Sequence, residues 1–254
     1  MPEQKKPTSL IGKVGKGIRD PRAAWRYLVR VRRNRRISQS TDGDHISFYR
    51  RVMADDVVRK SPDGAVGTEE REAWLELGNR QFTYLRDRGL RPDHRMLEIG
   101  CGNLRAGWRF IEFLGEGAYT GVDISPEILL AAQDTLVEQG LVAKRPHLMI
   151  VNDMSFKALP DDHFDVVHAH SVFSHTPIEI LEAAFKAVRR VIREDGFFDF
   201  TYNKSGDGRY WGTLREDYFY PLEMLVRLAG ERGFAAEEME GWVHPQSKLR
   251  LRPR

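Results

Sequence analysis

Short apolar segments that alternate with helical segments from residue 95 onward are the feature that most limits the fold of this sequence. The apolar segments have the length of strands, and the segments between them have apolar residues at helical spacing. Strands that alternate with helices form parallel sheets with right-handed crossovers and helices on both faces. The sequence therefore predicts a doubly wound α/β domain, with strands at 95–99, 119–123, 147–151, 164–169 and 196–202 and helices at 104–114, 126–138, 177–193 and 221–232.

Residues on either side of this alternation are predicted to add to the domain. Residues 41–92 are predicted to form a helical cap, with a turn at 41–44, a helix at 45–60, a loop at 61–64 and a helix at 68–88. At the other end, the segments 235–243 and 247–252 are predicted to form a hairpin. The main domain then spans residues 93–254.

The first 40 residues are a basic tail. Residues 1–36 carry twelve Lys/Arg and two acidic residues, a charge of +10, so the remaining chain carries −7 of the total of +3. Asp20 is a suitable N-cap and Pro21 a suitable first residue for an amphipathic helix with Trp25 and Leu28 on its apolar side. Such a helix suits an anionic membrane surface, or its apolar side packs on the protein body or on a second copy.

Composition limits the class of protein. The acidic remainder of the chain has no nucleic-acid-binding motif, which disfavours nucleic acid as a partner. One cysteine excludes an intrachain disulfide, and no apolar run approaches the roughly 20 residues of a membrane span. We therefore expect a cytoplasmic protein that is membrane-associated only if the basic tail binds lipid. The oligomeric state stays open.

A glycine-rich turn follows the first strand. Gly100 and Gly102 let the backbone approach a ligand at a strand-to-helix junction. A dinucleotide fingerprint would have a third glycine where Arg105 stands, which disfavours a pyrophosphate ligand. Glu98, just before the glycines, suits a ligand that presents an ammonium group.

Carboxylates also follow the next two strands. Asp123 ends the second strand, where it suits the two hydroxyls of a ribose, and Asp153 follows the third strand beside Met154. Open α/β sheets bind ligands at the carboxyl ends of their strands. An Asp side chain accepts from an exocyclic amine, and methionine contacts an adenine ring. The sequence therefore predicts one nucleoside site across three strand ends.

Four motifs together resemble those of class I methyltransferases that use S-adenosylmethionine (SAM): 97–103, 121–126, 152–154 and 164–167. The resemblance covers about residues 93–254. It implies a seven-stranded sheet whose last strand is antiparallel, with SAM as cofactor across the first strand ends. The implied cofactor-binding residues lie near the methionine part, the ribose, the adenine and the fourth strand, and they are Glu98, Gly100, Cys101, Gly102, Asn103, Asp123, Ile124, Asp153, Met154 and Ser171.

Candidates for catalysis follow the fourth strand. His170 and His175 would lie at the same sheet edge, and histidine suits a general base near neutral pH. In the alternative interpretation, His175 only supports the helix that begins near Pro177. Cys101 has no activating partner and is interpreted as a small residue in a tight turn.

Two places in the sequence have residue types that bind metal ions. His168 and His170 point the same way along a strand and would begin a zinc site, but no further ligands complete it. Asp161 or Asp162 would suit Mg²⁺, although adjacent loop acids are usually solvated. No clear ligand set supports either metal.

The loop at 203–212 is predicted to be a lid or a wall for the methyl acceptor. Its polar and aromatic residues suit a polyol, and they are Asp207, Arg209, Tyr210 and Trp211. These observations favour an O-methyltransferase that acts on a hydroxyl of a small molecule, with a sugar of a glycan or glycolipid precursor as the sharper version. The alternatives are a nicotinamide-dependent oxidoreductase and a non-catalytic membrane- or partner-binding protein with a methyltransferase fold.

Overall fold

The structure is a computed structural model that describes residues 21–254, apart from the side chains of residues 21–24 and 26. The helices of this range are α1 (Pro21–Gln39), α2 (His45–Arg59), α3 (Pro62–Ala65), α4 (Arg71–Arg86), α5 (Gly107–Phe113), α6 (Pro126–Glu138), α7 (Ile178–Val191) and α8 (Leu222–Glu231), with a 3-10 turn at Val142–Lys144. The strands are β1 (Met96–Ile99), β2 (Tyr119–Asp123), β3 (His147–Ile150), β4 (Phe164–Ala169), β5 (Ile192–Lys204), β6 (Trp211–Thr213), β7 (Asp217–Tyr220), β8 (Phe234–Glu238) and β9 (Ser247–Pro253).

The main sheet has the predicted doubly wound form. Strands pair in the order β3-β2-β1-β4-β5-β9-β8, and the first five of these are parallel. Strand β9 runs antiparallel to both β5 and β8. The antiparallel last strand and the C-terminal hairpin are thereby confirmed, whereas β6 and β7 bring the predicted seven strands to nine. The carboxyl ends of β1 to β5 share one edge.

Neighbouring residues of each strand face opposite sides of the sheet, because side chains alternate along a strand. Leu97 and Val167 pack with α7 and α8, whereas Met96 and Val166 pack with α4, α5 and α6. Each side therefore has its own buried apolar layer. The alternation also places Glu98 on the α4–α5 side of the sheet.

The helices that precede β1 in the chain cover the edge of the sheet at which β1 to β5 end. Helix α2 contacts α6, and α4 packs on α5. The loop predicted at 61–64 contains the short helix α3, because Ser61 accepts a hydrogen bond from the Gly64 amide at 2.9 Å and caps it. Helix α1 is present from the first described residue, Pro21, and its expected N-cap Asp20 lies outside the described residues.

The stretch after β5 differs most from the sequence prediction. Strand β5 continues to Lys204, and part of the predicted loop forms β6, which pairs with β7. Trp211 stacks on Phe219 with 4.0 Å between ring centroids, which holds this pair together. Strand β7 also extends the sheet beyond β5, since Lys204 pairs with Tyr220.

Among residues 21–254, no helix is both long and apolar enough to cross a membrane.

Candidate active site

A cavity of about 790 Å³ lies at the carboxyl ends of the parallel strands, under α1 and α2. This volume is in the usual range for small-molecule sites, about 300–1,000 Å³. All of the predicted site residues except Asp153 line it: Glu98, Gly100, Cys101, Gly102, Asn103, Asp123, Ile124, Met154, His170, Ser171 and His175. The structure therefore brings the predicted cofactor and catalytic residues together in one space.

The glycine turn has a backbone that other residues rarely adopt. Gly100 and Gly102 have φ values of +66° and +58°. A Cβ atom on Gly100 would lie 2.4 Å from the Val172 Cγ2 atom. Cys101 between them is buried, and burial raises the pKa of its thiol well above the usual range. The thiol is thus protonated, in agreement with a packing residue rather than a nucleophile.

Asp123 links the second strand to the glycine turn. Its Oδ2 atom accepts from the Gly102 amide at 3.0 Å, and its Oδ1 atom accepts from the Ser125 amide at 2.9 Å. Burial raises the pKa of Asp123, although these amide hydrogen bonds oppose that shift. The carboxylate lines the cavity at the tip of β2, where the sequence predicted a ribose partner.

Glu98 is a buried carboxyl group at the floor of the cavity. It is 4% exposed and accepts a short hydrogen bond from the Tyr119 hydroxyl. Burial raises the pKa of Glu98 to about 7, against the opposing effect of the Tyr119 bond. A cationic ligand group would favour its ionised form.

Asn103 has a structural role, as a link between helices, that the sequence did not predict. Its Oδ1 atom accepts from the Trp74 indole at 3.2 Å, and its Nδ2 atom donates to Asp63. The Thr135 hydroxyl donates to its backbone carbonyl at 3.0 Å. Asn103 therefore ties α3, α4 and α6 to the glycine turn.

The end of the third strand agrees with only part of the prediction. Met154 is buried and lines the cavity, but Asp153 is exposed and accepts from the Ser155 amide at 2.8 Å. This local turn directs the carboxylate of Asp153 away from the cavity wall, so its predicted contact with an adenine amine stays a prediction. Arg50 of α2, which the sequence did not single out, donates to the Ile124 carbonyl at 2.6 Å.

The segment after β4 supplies His170 and Ser171. Ser171 has a φ of +57°, and its amide donates to the Thr201 hydroxyl at 2.8 Å. Its hydroxyl donates to the Gln246 side chain at 3.0 Å. Burial lowers the pKa of His170 well below the usual range, which makes it a neutral imidazole and a weak base.

His175 is held in one tautomer. Its Nδ1 atom lies 2.6 Å from the Glu216 carbonyl, which can only accept, so the proton is on Nδ1. The Asp217 carboxylate lies 3.5 Å from the same nitrogen, and Tyr49 stacks on the ring with 5.6 Å between centroids. In the neutral tautomer with the proton on Nδ1, the Nε2 atom of this cavity-lining histidine carries the lone pair.

Helices α1 and α2 form a wall that the motifs did not predict. Arg33 of α1 binds Asp56 of α2 at 2.6 Å and Glu216 at 2.5 Å. Arg30 also binds Glu216, and it reaches Asp217 at 3.0 Å. This set of ion pairs, which we call the latch, joins α1 and α2 to the turn that holds His175. The acidic residues after β6 and the arginines of α1 belong to no sequence motif, so their pairing could not be predicted from the sequence.

The predicted acceptor loop at 203–212 does not supply the cavity wall. Asp207 binds Arg209, while Tyr210 packs on Tyr220 with 5.2 Å between ring centroids. Neither these residues nor Trp211 line the cavity, because their side chains are used within the β6–β7 region. The expected lid is corrected accordingly: Glu216 and Asp217, just beyond the loop, form this part of the wall.

The described part of the chain contains no group of three or more His, Cys, Asp or Glu side chains that could hold a metal ion. Asp161, which the sequence offered as a possible Mg²⁺ ligand, forms an ion pair with Arg190.

The donor set of the cavity suits SAM, a nucleoside joined to an amino acid through a sulfonium. The glycine turn lines the cavity with backbone at positive φ, and the Asp123 carboxylate lies at the strand tip. Both ring nitrogens of His170 are buried without a hydrogen-bond partner among the described residues. These features fit a ligand that carries hydroxyl and charged groups.

Comparison with known proteins finds methyltransferases that are similar to part of this chain. A methyltransferase-domain model matches residues 97–198. An uncharacterized methyltransferase of Schizosaccharomyces pombe is 29% identical over 160 residues, which cover 59% of this chain and 54% of that protein. A malonyl-(acyl-carrier protein) O-methyltransferase of Geobacter sulfurreducens is 31% identical over 138 residues, or 54% and 48% of the two chains. The chain thus spans about half the length of these curated relatives.

The fold is also shared with solved structures. A magnesium protoporphyrin IX methyltransferase of Synechocystis with bound S-adenosylhomocysteine has a TM-score of 0.62 and 16% identity, over 82% of this chain and 100% of that one. The sheet order agrees with this shared fold, and residues 97–198 are similar to a methyltransferase domain.

Proposed function

We propose that the chain binds SAM in this cavity and transfers its methyl group to a hydroxyl of a small acceptor, with His175 as the general base. The tautomer of His175 carries this proposal, because the Glu216 carbonyl fixes the proton on Nδ1 and leaves Nε2 to accept a proton. SAM supplies a methyl group on a sulfonium. The residues of the chain must orient the acceptor, exclude water and accept its proton.

Tyr49 supports the same assignment. Its ring stacks on His175, and burial raises the pKa of its phenol, so the hydroxyl stays protonated. A protonated phenol in the cavity wall can donate a hydrogen bond to an acceptor oxygen. Helices α1 and α2 cover this part of the cavity and limit its contact with bulk water.

The sharper version of the proposal is a sugar or another polyol as acceptor, with a glycan or glycolipid precursor at an anionic membrane surface. Trp25 of α1 is 62% exposed and Leu28 is also exposed, which supports insertion into a lipid interface. The basic residues of the first 36 positions support attraction to anionic lipid. Vesicle sedimentation tests this version: Trp25→Ser with Leu28→Ser should reduce binding to anionic vesicles, and unchanged binding would contradict it.

A screen of acceptors tests the main proposal. The wild-type protein is incubated with SAM that carries a labelled methyl group and with sets of hydroxyl and amine acceptors, and the release of S-adenosylhomocysteine is measured. Mass spectrometry then locates the label. A labelled oxygen supports the proposal, whereas a labelled nitrogen would keep the methyltransferase and replace the acceptor class.

Two alternatives have distinct outcomes. Calorimetry with SAM and with NAD separates a methyltransferase from a nicotinamide-dependent oxidoreductase, which Arg105 in place of a third glycine disfavours. A protein that binds SAM but methylates nothing, while it binds vesicles or a protein partner, would support a non-catalytic role.

A further inference from the structure

Several cavity-lining side chains have buried polar atoms without a hydrogen-bond partner among the described residues. They are the Nε2 atom of Gln81, the Nε atom of Arg105, both ring nitrogens of His170, the Nδ1 atom of His45 and the Oγ1 atom of Thr176. The last two belong to residues that contact or follow His175, the proposed general base. Buried polar groups in folded proteins nearly always have a partner, so these two atoms indicate a ligand with a polar group next to His175.

His45 presents a hydrogen-bond acceptor to this place. It is the first residue of α2, it is 7% exposed and it lines the cavity. Its Nε2 atom lies 2.9 Å from the backbone carbonyl of His175, which can only accept, so this nitrogen carries the proton. Burial lowers the pKa of His45 to about 4, so the ring is neutral at pH 7. The Nδ1 atom therefore has a free lone pair.

Thr176 presents a hydroxyl group on the same part of the wall. The carbonyl of His175 that His45 binds is joined directly to the backbone nitrogen of Thr176, so the two side chains are close neighbours. Thr176 is 8% exposed, and its own carbonyl accepts from the Tyr220 hydroxyl, which holds its backbone in place. Its side-chain hydroxyl can donate one hydrogen bond.

Tyr49 connects this place to the proposed base. Its ring stacks on both histidines, with 6.1 Å between its centroid and that of His45 and 5.6 Å to that of His175. Backbone carbonyls fix the two histidines in opposite tautomers, with the proton on Nε2 of His45 and on Nδ1 of His175. The wall therefore presents two separate lone pairs, one on each ring.

The chemistry of the place beside His45 favours a neutral hydroxyl. A hydroxyl can donate to the Nδ1 lone pair of His45 and accept from Thr176, so it satisfies both groups at once. A carboxylate or a phosphate oxygen only accepts and does not match the lone pair. An ammonium group only donates and would leave the hydroxyl hydrogen of Thr176 without an acceptor.

We propose that the acceptor carries a second hydroxyl next to the one that is methylated, as in a vicinal diol, and that His45 and Thr176 bind this second hydroxyl. This inference rests on the proposed function and narrows its acceptor class. The second hydroxyl keeps its proton and takes no part in the methyl transfer. Its two hydrogen bonds select the acceptor and orient the neighbouring hydroxyl toward His175.

Matched pairs of small probes test this inference: cis-1,2-cyclohexanediol with cyclohexanol, and catechol with phenol. Each probe is incubated with the full chain and methyl-labelled SAM, and kcat/KM is measured from the labelled product. At least one diol should be methylated, and its kcat/KM should exceed that of its partner by about 10-fold or more, since the single hydroxyl leaves His45 and Thr176 unpaired. This ratio is well above the factor that a doubled number of hydroxyls gives.

Two substitutions of His45 separate a binding role from a structural one. In His45→Gln, the side-chain amide can replace Nε2 at the His175 carbonyl, but nothing replaces the Nδ1 lone pair. This variant should lose about 3- to 10-fold of the preference for the diol, as expected for one hydrogen bond. His45→Asn places an oxygen near the position of Nδ1 and should keep more of the preference, although it loses the bond to the carbonyl. A merely structural role predicts the opposite order.

Thr176 and a distant histidine complete the set. Thr176→Val removes the hydroxyl with little change in volume and should reduce the preference several-fold, whereas Thr176→Ser should retain it. His147→Gln is the matched control, because His147 is exposed on β3 and does not line the cavity. Its preference should equal that of the wild type. Circular dichroism verifies that each variant is folded.

The outcomes separate this inference from the proposed function. A chain that releases no S-adenosylhomocysteine with any hydroxyl acceptor would contradict the proposed function, and the second-hydroxyl site with it. A chain that methylates the single hydroxyls as efficiently as the diols, or that methylates other hydroxyl acceptors but neither diol, would overturn the second-hydroxyl site alone. So would His45→Gln and Thr176→Val variants that both keep the full preference.

Discussion

Glu98 shows at the scale of one residue how burial changes the pKa of a side chain that lines the cavity. The sequence places an acid before the glycine turn, but its proton affinity depends on the surrounding residues. Burial raises the pKa of Glu98 to about 7, while Tyr119 donates to it and the charges of Arg105 and Lys248 oppose the shift. Because this value exceeds the ordinary 4.5, ionisation of Glu98 lowers the stability of the ligand-free protein as pH rises between the two values.

We expect SAM affinity to rise with pH up to about 7, because the ammonium of SAM favours ionised Glu98. Below this value, the affinity should fall by up to about tenfold per pH unit, since a proton must leave before the ligand binds. Calorimetry between pH 5.5 and 7.5 measures this dependence. Glu98→Gln should bind more weakly and with little pH dependence, and an equally steep profile in that variant would show that another group titrates.

His175→Gln should lower the turnover of a hydroxyl acceptor by roughly 10²-fold or more, because general bases contribute about 10²–10⁴-fold. SAM affinity should change little, since the ring contacts Tyr49 and the Glu216 carbonyl rather than the glycine turn. Full turnover in His175→Gln would assign the base elsewhere.

At the scale of secondary-structure elements, the latch connects α1 and α2 to the turn between β6 and β7. Arg33 is mostly buried, with 16% of its side chain exposed, and it bridges Asp56 and Glu216. Asn34 adds a hydrogen bond to the Leu214 carbonyl at 3.0 Å. Since Glu216 also accepts from His175 through its carbonyl, α1 supports the position of the proposed general base.

Arg33→Met should therefore lower turnover of the acceptor and reduce the free energy of unfolding by about 1–3 kcal/mol, as expected for lost charged hydrogen bonds. Arg36→Met is the control, because Arg36 lies on the same helix and is exposed. Denaturant unfolding and steady-state kinetics measure both effects. If Glu216→Gln has the same effect alone as combined with Arg33→Met, the two residues act through one interaction.

At the scale of the whole molecule, the cavity lies between the sheet and the helices that precede it. Trp25 and Val29 of α1 line it together with residues of the glycine turn. Residues before position 21 carry part of the basic charge and lie outside the described residues. The tail and α1 can therefore be separated by experiment.

Deletion of residues 1–20 should leave SAM affinity and turnover unchanged and weaken adsorption to anionic vesicles, because it removes Lys/Arg residues but keeps the cavity wall. Deletion of residues 1–39 should in addition lower turnover, since it removes α1 and the latch. Vesicle sedimentation and kinetics compare the two. Equal turnover in both truncated proteins would show that α1 has no part in catalysis.

Local patterns were enough to predict the sheet and the cofactor side of the cavity. Strand alternation and turn residues are properties of neighbouring positions, so β1, β2 and the glycine turn follow from the order of the residues. The carboxyl ends of parallel strands meet at one edge, and this brought Glu98, Asp123 and His170 into one predicted site. Asp153 was placed less well, because its own local turn with Ser155 directs its carboxylate.

Only the tertiary structure decided what covers the site and which groups its walls present. The latch joins Arg33 to Glu216 across 183 positions of the chain, and no spacing rule relates residues so far apart. The Nε2 atom of Gln81 and the Nε atom of Arg105 likewise have no hydrogen-bond partner among the described residues. This depends on how all the neighbouring elements pack around them. The sequence by itself determined the fold and the strand ends that border the cavity. Packing between distant elements decided the charge, the tautomers and the enclosure of that site, because burial exists only once those elements are assembled.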